Sequence, residues 1–173
     1  MGATPDPNFT SWHVGVSAEA FAAGLFARCG LDVSVQYGAN QPEYDLVVVR
    51  GKQLLKVSVK GSRTGSWGLT QSNLREANYH EAVDAWLERH QPRTVFCLVQ
   101  FKDVDVLEMP RVYLATPTEI AKRLKETAKG RGGTILYEKR EWGSRAHAAG
   151  TTDQIPDSWR FSAPRIDELF GKA

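Results

Sequence analysis

Residues 42–60 read PEYDLVVVRGKQLLKVSVK, and this stretch decides the fold. Two runs rich in β-branched residues, 44–50 and 53–60, are separated by Gly51-Lys52. Glycine at the first central position suits a two-residue type II′ hairpin, because only glycine takes the required positive φ without steric cost. A two-residue loop sets the register: Arg50 opposite Gln53, Val47 opposite Lys56, Asp45 opposite Ser58 and Glu43 opposite Lys60. Since side chains alternate along a strand, Glu43, Asp45, Ser58 and Lys60 share one face, while Leu46, Val48, Val57 and Val59 turn into a core. Directly opposed Cβ atoms lie about 4.5–5.5 Å apart, close enough for two such side chains to meet at one ion or phosphate.

Upstream, residues 1–11 carry two prolines and no period, which reads as a flexible N-terminal arm. A helix of about fifteen residues follows, with Val14, Ala18, Phe21, Ala22, Leu25 and Cys29 on one stripe and Gly30 as its stop. The alternation over 32–37 predicts a strand, and 38–42 a turn-rich break. Downstream, 61–68 reads as a loop ending around Trp67. Asn73 with Glu76 resembles a capping box for a second helix, whose apolar face is Tyr79, Val83, Trp86, Leu87 and His90. The almost wholly apolar run 94–101 predicts a strand buried on both faces, and 111–115 another strand. Thr116-Pro117-Thr118-Glu119 opens a third helix that runs to about Lys129. A final strand over 134–142 and a terminal helix over 162–170 complete the order. The alternation of helices and strands predicts an α/β domain, a mixed central sheet with helices on both faces, over residues 12–173.

PEYD at 42–45 followed by VSVK at 57–60 resembles the PD-(D/E)xK signature of restriction-endonuclease-like nucleases. The preceding helix with Glu19 is similar to that of small archaeal Holliday-junction-resolvase-type nucleases. The resemblance covers a core motif region at about residues 12–101, leaving 102–173 as a C-terminal elaboration. It implies a restriction-endonuclease-like fold and a metal-dependent DNA endonuclease that hydrolyses phosphodiester bonds, often as a homodimer. Carried over by position, Asp45 and Glu19 hold Mg²⁺ (or Mn²⁺) together with the Val59 carbonyl. Lys60 orients the attacking water and offsets transition-state charge.

One position departs from the family pattern: Ser58 stands where an acid is usual. Either Glu43 substitutes for it as a ligand from across the ladder, or metal affinity is weak, or the protein is a catalytically inactive nuclease-fold module that binds DNA or a protein partner. In a third reading, a non-nuclease scaffold, the face bearing Asp45 and Lys60 is merely solvated.

Arg63 and Trp67 together suit clamping a phosphate and stacking on a base; a connector whose Trp packs on the sheet is the alternative. Residues 120–145 carry eight Lys and Arg, among them Lys122, Arg123, Lys139 and Arg140, against three Glu. That excess suits a DNA backbone or simply a solvated face. His13, His80, His90 and His147 have no metal-like spacing.

Composition narrows the remaining classes. In 173 residues, 22 Lys and Arg stand against 20 Asp and Glu, so net charge alone marks no nucleic-acid binder. The two cysteines, Cys29 and Cys97, are too few for a disulfide framework; both read as core residues, and a reducing, cytoplasmic compartment is the expectation. No apolar stretch approaches the ~18 residues of a membrane span.

Overall fold

The computed structural model describes residues 8–36, 43–76, 78–90 and 92–171. The chain runs α1 (Ser11–Arg28), β1 (Asp32–Val35), β2 (Leu46–Arg50), β3 (Gln53–Ser62), β4 (Ser66–Gly68), α2 (Tyr79–Leu87), β5 (Thr94–Gln100), β6 (Arg111–Ala115), α3 (Pro117–Glu126), β7 (Ile135–Tyr137), β8 (Lys139–Glu141), β9 (Thr152–Gln154) and α4 (Ala163–Gly171). Five strands form a central sheet in the order β1-β2-β3-β5-β6. Every neighbouring pair is antiparallel except β3 and β5, which run parallel across the α2 crossover. The sheet is therefore mixed, as the sequence predicts.

The hairpin has the expected register. Arg50 faces Gln53 and Val47 faces Lys56, with Gly51 at φ +61 between the strands. Leu46, Val48, Leu55, Val57 and Val59 point to one face, where Ala18, Ala22 and Phe26 of α1 and Ile166, Leu169 and Phe170 of α4 cover them. Burying each of the larger side chains contributes about 1.5–3 kcal/mol. The other face is covered by α2 and α3 through Val83, Trp86, Ile120 and Leu124, packed on Phe96, Leu98 and Ala115. β5 lies between two covered faces, and all seven of its residues are buried.

Helix starts follow side-chain chemistry, not always where the sequence places them. Thr116 and Glu119 form the expected capping box of α3. The box expected at Asn73 does not form: residues 71–73 make a 3₁₀ turn, Glu76 sits at φ +50, and a left-handed residue cannot continue a helix. α2 starts later, capped by Asn78, whose Oδ1 accepts from the Glu81 N–H at 3.1 Å. α3 stops at Glu126, short of Lys129, because Thr127 is extended and Ala128 and Lys129 are left-handed.

Several other expectations shift. The segment 61–68 is largely strand: β3 continues through Ser62 against β5, and β4 pairs with β7. The strand expected over 134–142 splits at Glu138 into β7 and β8, which join different two-stranded sheets. Glu138 turns away to accept from Arg111 at 2.7 and 3.0 Å and from Tyr113 Oη at 2.6 Å, tying this region to β6. Cys97 is buried, but Cys29, expected in the core, is exposed because Phe26 holds the last buried place on α1. Most of the expected arm, the break at 38–42 and Tyr37 lie outside the described residues.

Candidate active site

The site begins where β2 and β3 diverge. Asp45 immediately precedes β2; its N–H donates to the Val57 carbonyl and its own carbonyl accepts from Gln36, both at 2.8 Å. Its carboxylate turns back onto β3 and accepts from the Val59 N–H at 2.6 Å. These two bonds bracket Ser58, the partner that the hairpin register assigned to Asp45, and they hold the carboxylate beside the residue before Lys60.

Glu19 reaches the same place from α1 because the helix lies almost on the strand. A Cβ added at Gly61 would meet the Val14 carbonyl oxygen at 2.8 Å and Ala18 Cβ at 2.9 Å, so only glycine permits this approach. Glu19 is the next residue after Ala18. Burial pushes its carboxyl above the usual carboxylate range, the negative charge of Asp45 pushes it further, and Lys60 pulls it partly back. Two acids and a lysine from three elements thus share one electrostatic neighbourhood.

A second group, missed by spacing arguments, lies within electrostatic reach of Lys60. The His90 ring, just beyond α2, meets the Glu43 carboxylate through Nδ1. It packs edge-on against Trp86 and Phe96, with centroids 4.3 and 5.0 Å away. Burial lowers its pKa, Glu43 opposes that, and Lys60 and Arg89 add to the lowering. Histidine spacing along the chain held no signal for this contact, because the packing of α2 on β5 creates it. The pair engages one carboxylate oxygen of Glu43, the expected substitute ligand. Ser58 is buried, with 2 % of its surface exposed.

The expected nucleic-acid contacts separate. Trp67 is buried and its indole N–H donates to the Lys60 carbonyl at 2.9 Å, so it packs on the sheet and is closed to a base. Arg123 is bound by Asp153 and by Glu126 and is already neutralised. Lys122 is exposed, Lys139 faces Glu141 at 3.3 Å, and Arg63 is exposed with one guanidinium N–H on the Phe9 carbonyl. Arg140 lies over the rings of Trp142 and Tyr137, 4.5 and 4.8 Å from their centroids.

Among the described residues, no three His, Cys, Asp or Glu side chains form a group that could hold a metal ion. No helix among them is long and apolar enough to cross a membrane.

No family model matches the chain. The structure of a bacterial homing endonuclease, I-Ssp6803I, is similar over 94% of this chain and 95% of its own, with a TM-score of 0.50 and 16% identity, a likeness of fold. UPF0102 protein BH12350 of Bartonella henselae is 30% identical over 99 residues, which span 56% of this chain and 78% of that protein. With the diverging hairpin, the helix laid over it and the acid pair beside Lys60, these likenesses identify a nuclease-like protein of PD-(D/E)xK-type, restriction-endonuclease-like fold, and the chain belongs to the UPF0102 family.

Proposed function

We propose that the protein hydrolyses DNA phosphodiester bonds with the help of a divalent cation. The observation that carries this reading is the convergence of Glu19, Asp45 and Lys60, with the Asp45 carboxylate bonded to the Val59 amide. The donor set fits magnesium or manganese. Burial raises the Glu19 pKa most, the Asp45 charge raises it further, and a cation between the two carboxylates would offset that repulsion. Magnesium usually takes one or two protein carboxylates and fills its remaining positions with water and substrate phosphate. Glu19, Asp45 and the Val59 carbonyl would hold it, and when bound it supplies Lewis-acid polarisation of the phosphate and a more acidic water.

The chain's own residues do the rest. The Val59 amide fixes the Asp45 carboxylate, so that group need not be ordered when substrate arrives. Lys60 offers a positive charge to the oxygens that gain negative charge as the P–O bond breaks. The Glu43–His90 pair lies within electrostatic reach of Lys60. Arg63 and Lys122 are exposed and available to DNA phosphates. A homodimer, common among nucleases of this fold, is part of the proposal.

A second reading rests on Ser58. Buried and neutral where the signature has an acid, it lowers the charge available to a cation, which favours a silent module that binds DNA or a protein. Thermal melts in rising magnesium or manganese, run beside a plasmid-nicking assay, separate the two. A cation at 100 times its dissociation constant stabilises by about 2.7 kcal/mol, a rise of about 5–10 °C for a chain of this size. Asp45→Asn, which keeps an acceptor for the Val59 amide, should abolish both the rise and the nicking. Lys60→Met should abolish nicking alone. A melting point and a plasmid both indifferent to metal would support the silent module.

A further inference from the structure

From a cleft at the other end of α2, we infer that the protein has a nucleotide-binding site separate from the candidate active site. The cleft has a volume of about 420 Å³ and lies between Tyr79 at the start of α2, the segment after α3, β7 and the 142–148 loop. That is within the ~300–1,000 Å³ of small-ligand sites. Its chemistry is selective in two ways. Four ring-bearing residues line it, Tyr79, Tyr137, Trp142 and His147, together with Arg145 and with Arg131, whose guanidinium lies 5.8 Å from the Tyr79 ring centroid. Among the described residues, its lining contains no carboxylate. An apolar ligand would leave two cations uncompensated, and a bare anion would leave the rings unused. A nucleotide satisfies both, with its base on an aromatic face and its phosphate on the arginines.

The walls are built to keep this shape. The Trp142 indole N–H donates to Asp153 at 2.6 Å, and the same carboxylate oxygen accepts from the Ala128 N–H at 2.9 Å. Asp153 therefore joins the two sides of the cleft, and its other oxygen is taken by the Arg123 guanidinium. His80 bonds to the Gly130 carbonyl at 2.9 Å and holds the segment after α3 against α2. A Cβ at Gly132 would come within 3.0 Å of both Tyr79 Cβ and His80 Cδ2, so this wall approaches as closely as glycine allows. Arg140 covers the Tyr137 and Trp142 rings from outside the lining.

The inference deepens the nucleic-acid reading above and rests on it for a DNA strand as the source of the nucleotide. Tyr79 starts α2 and His90 lies just beyond its last residue, Leu87, on the order of 15 Å away at the helical rise. That distance corresponds to roughly four or five phosphates at about 3.4 Å per step, so one strand of modest length could occupy both places.

The test is a titration of the full chain, in EDTA, followed by NMR at the Trp142 indole N–H, which Trp142→Phe identifies. The probes are deoxyadenosine monophosphate, inorganic phosphate and hexathymidylate. Expected is a saturable shift with the nucleotide and none with phosphate at the same concentration. Arg131→Ala with Arg145→Ala should weaken binding by about tenfold or more. The indole signals of the buried Trp67, Trp86 and Trp159 in that double variant report that it is folded. Hexathymidylate binding about tenfold tighter than the mononucleotide assigns the site to a strand; equal affinity assigns it to a free nucleotide. Phosphate acting as strongly as the nucleotide, a double variant that binds like the wild type, or no shift with either nucleotide probe overturns the inference. With EDTA present, such a failure leaves the cleavage proposal untouched. Asp45→Asn should bind nucleotide normally while losing cleavage, which separates the two sites.

Discussion

Gly61→Ala is the substitution that most directly tests how packing builds the candidate site. The added methyl would lie 2.8 Å from both the Val14 carbonyl oxygen and Val14 Cγ1, and 2.9 Å from Ala18 Cβ, where ordinary contacts start at 3.4 Å. Two of these three atoms are a helix backbone oxygen and an alanine Cβ, neither of which can rotate away. α1 must therefore retreat by about 0.6 Å or the strand must bend. The φ of Gly61 is not positive, so no backbone strain adds to the steric effect. Overpacking of this kind costs about 1–3 kcal/mol. For a chain of this length that is a melting point lower by about 2–12 °C, and a urea midpoint shifted at unchanged slope. The retreat also carries Glu19, one residue beyond Ala18, away from Asp45 and toward solvent. Both causes of its raised pKa then weaken, so its titration, followed by carboxyl NMR, should move toward the usual carboxylate range. A stability change below about 0.5 kcal/mol, the range of unremarkable surface substitutions, with an unmoved Glu19 would refute the claim that this glycine sets the helix-to-strand distance.

Further outcomes follow from the charges. Because the native Glu19 carboxyl binds its proton more tightly than the unfolded one, Glu19 opposes folding above its raised pKa, and this opposition fades as pH falls through it. Glu19→Gln should therefore stabilise the protein at pH 7 and make little difference in acid, as urea midpoints at the two pH values would show; Asp45→Asn should lower the Glu19 pKa. Arg165, with a side chain 3 % exposed, donates twice to the Leu114 carbonyl and bonds Glu119 at 2.6 Å and Glu168 at 2.7 Å. Arg165→Met should cost about 3–5 kcal/mol by removing a buried guanidinium together with its bonds to Leu114, Glu119 and Glu168. Burial would raise the Glu119 carboxyl, but its bonds to Arg165 and Thr116 outweigh that and hold it low, so its contribution is present at neutral pH and lost as pH falls through its depressed pKa. The difference between Arg165→Met and wild type should accordingly shrink in acid, as melts across pH 3–7 would record.

Local sequence determined what a single element can determine. Gly51-Lys52 set the hairpin register, and with it the apolar face formed by Leu46, Val48, Val57 and Val59. Thr116 and Glu119 marked the start of α3, and the unbroken apolar run marked β5. These are short-range regularities, in which alternation, capping and turn chemistry act within a few residues. Asn73 misled because Asn78 offers the same capping chemistry five residues later, and only the left-handed backbone at Glu76 decides between them.

Distances between elements were settled by packing. Glu19 was legible as a partner of Asp45 only through the resemblance, since their proximity depends on α1 lying against Gly61. The Glu43–His90 pair and the capture of Arg123 by Asp153 join residues far apart in the chain, and the inward turn of Trp67 onto the Lys60 carbonyl depends on how β4 packs beside β3. An exposed cation and a buried, neutralised one look the same in a sequence. Which of them remains free for a phosphate is decided only when the sheet and its helices close around it.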